Sequence, residues 1–104
     1  MLGDFDRQQS SAHWLRLRPE ALPAIETWAM DGRVARPPKG VTHVVLDTPA
    51  QIDARRLADV VRVADRIVVP LQPSMFDVLA TGAFLESLRK AFRSAGEYRE
   101  TVAV

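Results

Sequence analysis

Two apolar, β-branched runs separated by a helix-length segment constrain this chain more than any other feature. The first, Thr42-His43-Val44-Val45-Leu46-Asp47, is closed by Thr48-Pro49; the second, Arg66-Ile67-Val68-Val69-Pro70-Leu71, is closed by Gln72-Pro73-Ser74. Continuous rather than alternating apolar runs predict strands covered on both faces, as in parallel sheets. Between them, residues 53–64 place Ala54, Leu57, Ala58, Val61 and Ala64 on one helical stripe, with Asp53 as N-cap. Parallel strands need a crossover of about this size. The segment therefore predicts a βαβ unit with a right-handed connection, in an α/β fold whose parallel sheet is flanked by helices.

The flanks extend the pattern. A long amphipathic helix is expected from Ser74 to about Ser94, with Phe76, Ala80, Phe84, Leu88, Ala91 and Phe92 as its apolar face. Ser74 suits its N-cap and Gly96 its C-terminal stop, while Gly82 weakens its middle. Residues 1–5 read as the end of a strand, 9–17 as a short helix stopped by Arg18-Pro19, and 23–28 as a weak strand. Residues 31–40, with Pro37, Pro38 and Gly40, read as a loop, and 101–104 as the start of another strand. A sheet with so few crossover helices leaves apolar surface uncovered, so the 104 residues are expected to be a fragment of a larger α/β domain, truncated at both ends and prone to associate.

Composition narrows the chemistry. Fourteen Lys and Arg against thirteen Asp and Glu give a net charge of +1, which supplies no bulk attraction to nucleic acid or membrane. There is no cysteine, which excludes disulfides, thiolate metal sites and cysteine nucleophiles and fits a cytosolic, reducing compartment. No apolar run is long enough to span a bilayer, and the acidic opening Met1-Leu2-Gly3-Asp4-Phe5-Asp6 does not read as a signal peptide. His13 and His43, the only histidines, have no neighbouring ligand cluster. Arg55, Arg56 and Arg62 read as a solvated face or, alternatively, a DNA or partner surface. Trp14 and Trp28 are expected to pack, and Ser10, Ser11 and Ser74 to cap helices.

Ligands of open α/β sheets bind outside the carboxyl ends of the strands. Polar residues follow three of the expected strands there: Asp4, Asp6, Gln8 and Ser10 after the first, Asp47 and Thr48 after the second, Gln72 and Ser74 around Pro73 after the third. Because parallel strands end on the same side, Asp4, Asp6 and Asp47 are expected to converge. Three carboxylates at strand ends can hold a hydrated Mg²⁺ or orient a water. An Asp closing an apolar strand suits a Walker B acid, and equally a turn former.

Asp4-Phe5-Asp6-Arg7-Gln8-Gln9-Ser10 resembles the Asp-x-Asp-Pro-Gln-x-Ser segment of the ParA/MinD family of deviant-Walker, P-loop ATPases (the SIMIBI type). Val44-Val45-Leu46-Asp47-Thr48-Pro49-Ala50 resembles that family's Walker B strand, and the stretch from Ala64 to Ser74 its next strand, followed by Phe76-Asp77-Val78 and a long helix. The resemblance runs over nearly the whole chain, in family order, and identifies residues 1–104 as a partial nucleotide-binding domain. Arg7, Gln9 and Ala50 depart from the family's usual Pro, Gly and Pro. No Gly-x-x-x-x-Gly-Lys-Thr/Ser Walker A loop occurs in the sequence.

The resemblance implies that the complete domain hydrolyses Mg-ATP and partitions a chromosome or plasmid as a homodimer in the cytoplasm. It further implies a ParB-like adaptor, non-specific DNA as a possible partner, and no membrane. Asp6 would position the attacking water as the catalytic acid. Asp47 and Asp4 would lie at the metal site, and Gln8, Pro70, Gln72, Pro73 and Ser74 would be the nucleotide-binding residues. Without a Walker A loop the chain alone is expected to bind ATP poorly. One alternative is a truncated or pseudo-ATPase interaction module without hydrolysis. Another is a receiver-like or Rossmann-like domain, although no Gly-x-Gly-x-x-Gly follows any strand.

Overall fold

The computed structural model describes residues 1–28, 30, 36–96, 102 and 103. It falls into two units, Met1–Ile52 and Asp53–Val104, and each contains a parallel strand pair.

In the first unit, strand β1 (Leu2–Asp4) pairs in parallel with strand β2 (Val45–Asp47), with Leu2 opposite Val45, Gly3 opposite Leu46 and Asp4 opposite Asp47. The ladder runs past both strand ends. The Met1 amine donates to the His43 carbonyl at 3.0 Å, Val45 N to Met1 O at 3.0 Å, and Phe5 N to Asp47 O at 2.8 Å. On its other side β1 forms a parallel bridge from Leu2 to Thr27, with Leu2 N donating to Glu26 O at 2.8 Å. This makes β1 the middle strand of its unit, and Leu2 and Phe5 are buried there. Helix α1 (Ser10–Arg16) follows after a tight turn and packs on β1.

Gly3 is required by a close approach. A Cβ at this position would lie less than 3.0 Å from Cη2, Cζ2 and Cζ3 of the Trp28 indole. Trp28 packs as expected. Trp14 does not: it is about half exposed, and the Arg18 guanidinium stands over its ring, 5.3 Å from the centroid, a cation–π contact. The strand expected over 23–28 reduces to the single bridge at Thr27. Pro23 has no N–H for a ladder, and its carbonyl accepts from Arg18 Nη2 at 2.9 Å. Of the loop expected over 31–40, residues 31–35 lie outside the described residues; Gly40 turns the chain with φ 90°.

In the second unit, helix α2 (Ala54–Val63) starts at Asp53, whose Oδ1 accepts from Arg56 N at 2.9 Å, the expected N-cap. Strand β3 (Ile67–Val68) pairs in parallel with strand β4 (Val102–Ala103); residues 101 and 104 of the expected last strand lie outside the described residues. Helix α3 (Met75–Ala95) is capped as the sequence predicts. Asp77 N donates to Ser74 Oγ at 3.1 Å, the Ser74 hydroxyl donates to Asp77 Oδ2 at 2.7 Å, and Gly96 ends the helix at φ 68°. α2 and α3 pack together, burying Leu57, Val60 and Val61 of the first and Leu88 and Ala91 of the second.

Three expectations need correction. The two strands of the expected βαβ unit are not found in one described sheet: β2 pairs with β1 and β3 with β4, in two separate two-stranded parallel sheets. β3 is only two residues long, because Pro70 cannot donate to a ladder. The runs are not covered on both faces: Val45 is 65% exposed and Val68 75%. Within the first unit the described helix, α1, has seven residues and lies on β1, too little to shield β2 as well.

The expected apolar face of α3 is likewise buried only in its C-terminal half, with Phe76 86% exposed and Ala80 exposed. α2, at 10 residues, is about 15 Å long against about 30 Å for the 21 residues of α3, so one covers half of the other.

Two glycine substitutions separate these packing environments. Gly3→Ala forces the Trp28 ring to move and should destabilise the fold by about 1–3 kcal/mol in chemical denaturation. Gly82→Ala adds a methyl in open space in the middle of α3 and should stabilise by about 0.5–1 kcal/mol.

Candidate functional site at the strand carboxyl ends

The register of β1 against β2 sets Asp4 beside Asp47 at the carboxyl ends of two adjacent parallel strands. Asp6 lies two residues further on, at the start of the turn into α1. Asp4 Oδ1 accepts from Asp6 N at 3.0 Å, and Asp6 Oδ1 accepts from Gln8 N at 3.1 Å. These two successive Asx turns shape the backbone between β1 and α1. The turn closes with Gln9 N donating to Asp6 O at 3.1 Å and Gln9 itself in the left-handed region, φ 51°. A non-glycine residue is uncommon in that region and is held here by the hydrogen bonds on either side of it.

The other oxygen of Asp4 works on the helix. Oδ2 accepts from Ala12 N at 2.9 Å, in the first turn of α1, where backbone N–H groups have no partner within the helix. Gln9, the residue at the N-cap position, makes no side-chain capping bond. Asp4 therefore caps α1 from the end of β1, with both carboxylate oxygens accepting backbone N–H groups. The expectation that Ser10 and Ser11 cap this helix is corrected accordingly. The Ser11 hydroxyl instead donates to Asp47 Oδ2 at 2.5 Å. Ser11 was not among the residues expected at the site, and no local pattern marks it, since its partner lies 36 positions away in the chain.

Among the described residues, no group of three or more His, Cys, Asp or Glu is arranged to hold a metal ion. Asp47, at the end of β2, is half-buried, and its Oδ2 accepts from the Ser11 hydroxyl. Gln8 is exposed in the turn after Asp6. Pro70, Gln72 and Pro73 are exposed in the loop after β3, in the second unit, and Ser74 is occupied as the N-cap of α3.

No protein-family model matches the chain, and no solved structure matches it. Over 99 residues it is 32% identical to a protein of Gloeobacter kilaueensis named "Maintenance of carboxysome distribution protein A", a match that takes in 92% of this chain and 44% of the relative. The chain thus spans less than half the length of this curated relative. No helix among the described residues is long and apolar enough to cross a membrane.

Asp4→Ala removes the cap of α1 and the acceptor that fixes the Asp6 turn. It should cost about 1 kcal/mol of stability and speed amide exchange at Ala12 and Asp6 before other amides of the unit. Unchanged exchange at both amides would refute the capping role.

Proposed function

We propose that this chain is part of a ParA/MinD-type ATPase that distributes an intracellular cargo. The observation that carries the reading is the pairing of Asp4 with Asp47 at the carboxyl ends of adjacent parallel strands, where the motifs of this family put their acids. Support also comes from the likeness over nearly the whole chain to a protein named for maintaining carboxysome distribution. The cargo class follows that name only at the level of a body or DNA molecule that must be distributed. A homodimer, a ParB-like adaptor, DNA contact and a cytoplasmic location belong to the same proposal.

In this reading Asp47 would hold a hydrated Mg²⁺ through water, which would supply charge neutralisation at the phosphates. Asp6 orients the attacking water, from a carboxylate kept in place by the Gln8 amide. Asp4, with both oxygens on backbone N–H groups, serves the site by holding the Asp6 turn rather than by binding the ion. Gln8, Pro70, Gln72, Pro73 and Ser74 are proposed to approach the nucleotide. The phosphates require a Gly-rich loop, which the 104 residues do not contain, so hydrolysis is proposed for the chain joined to one.

A second reading is an interaction module without hydrolysis. Fusing a Gly-rich phosphate-loop segment ahead of Met1 separates the two. The ATPase reading expects slow Mg-dependent hydrolysis, a fall of about 100-fold or more in kcat for Asp6→Ala with ATP binding retained, and weakened Mg²⁺-dependent binding for Asp47→Ala. Both variants turning over at the parental rate would contradict the assigned roles. Failure to bind ATP at all would favour the interaction module.

A further inference from the structure

We propose that α3 pairs antiparallel with α3 of a second copy of this chain, along the side of its N-terminal half that faces away from α2. Leu88 and Ala91, buried where α2 packs, mark the covered side of α3. On the opposite side one helical stripe runs through Met75, Leu79, Gly82, Glu86, Lys90 and Arg93, all exposed. Its second half, Glu86, Lys90 and Arg93, is charged, as a face in water should be. Its first half is apolar: Met75 and Leu79 are 73% and 66% exposed, Phe76 stands beside them, and residues 78–85 carry no charge. A contiguous apolar patch of this kind marks an interaction surface. The short length of α2 does not account for it, since a longer α2 would still lie along the other side of α3.

Shape, charge and area together select a second copy as the occupant. Met75, Leu79, Gly82 and Glu86 follow the alternating spacing of four and three residues that forms the seam between two packed helices. A two-fold pair must be complementary to itself. In the antiparallel register Leu79 enters the gap at the partner subunit's Gly82, and the same contact repeats across the axis. The gap is open, because a Cβ on Gly82 would meet nothing within 4 Å. Glu86 then lies beside Met75 of the partner subunit, at the positive end of that helix, where the first N–H groups lack an acceptor within the helix. A parallel pair would instead set Gly82 on Gly82 and Glu86 on Glu86, leaving a void and a repulsion. At about 200 Å² for a residue of this size, Met75, Phe76 and Leu79 expose about 450 Å² per copy, and with Ala80, Gly82 and Ala83 a pair buries about 1,000 Å², the lower limit for a specific interface. The pairing needs no nucleotide and is independent of the ATPase reading.

The test is sedimentation velocity of the 104-residue chain without nucleotide, over about 1 to 500 μM, with helix content followed by circular dichroism. A small interface of this area should give a monomer–dimer equilibrium with a Kd of about 10–100 μM. Leu79→Glu should weaken it at least about tenfold by placing a charge in the seam. Gly82→Gln should weaken it by a similar factor of about ten while raising helix content, since glutamine is the better helix former. That variant separates loss of pairing from loss of folding. Glu86→Gln should weaken it by about threefold. The sequence has no cysteine, so one nitroxide attached at Lys90→Cys reports the orientation. Antiparallel pairing places the two labels roughly 30 Å apart, and parallel pairing about 10 Å.

Three results would overturn the proposal. One is a monomer at every concentration, which would leave the face to another occupant, a further stretch of a longer chain or a different protein. Another is association that neither Leu79→Glu nor Gly82→Gln weakens, which would place the contact elsewhere. The third is the short label distance of a parallel pair.

Discussion

The parallel ladder between Leu2–Asp4 and Val45–Asp47 is the interaction on which the chemistry of the first unit depends. It has three residue pairs and a few flanking bonds, and it decides which side chains meet. A slip of one residue would set Asp47 opposite Phe5 or Gly3 and turn its side chain to the other face of the sheet. The Met1 bonds at one end and the Phe5 to Asp47 bond at the other hold the register against such a slip, and Leu2 and Phe5 anchor β1 by burial. Gly3 lies between them because the Trp28 ring occupies the space a side chain would need.

Asp4 shows how one residue can be a turn former and belong to a candidate site together. An Asp at the end of a strand is by default a residue that accepts local backbone N–H groups, and Asp4 does this with both oxygens. Those bonds build the turn that carries Asp6 and fasten the helix that carries Ser11. Asp47 is tied to the site by a side chain instead of the backbone. Two acids that look alike in the sequence, each closing a strand, therefore take different roles, and the difference lies in which donors the fold brings to each.

What could be read from the sequence follows the range of the forces involved. The caps at Asp53, Ser74 and Gly96 were legible because each is a bond within a few residues of its own helix. The placement of Asp4, Asp6 and Asp47 at strand ends was legible because apolar runs stop where polar residues begin. Strand partners were not, since pairing depends on segments far apart: β2 takes β1 and β3 takes β4. Burial was over-read for the same reason, as Phe76 has a helical pattern but no partner among the described residues of its unit at that end of α3. Ser11 was missed because its bond to Asp47 spans 36 positions and leaves no local trace.

The central claim is that Asp4 and Asp47 stand side by side at the same end of a parallel pair. Cross-strand nuclear Overhauser effects between residues 1–5 and 43–48 test it most directly. The account predicts backbone contacts of a parallel ladder with Leu2 facing Val45, Gly3 facing Leu46 and Asp4 facing Asp47. An antiparallel pattern, or a parallel one shifted by a residue, would separate the two acids and contradict it.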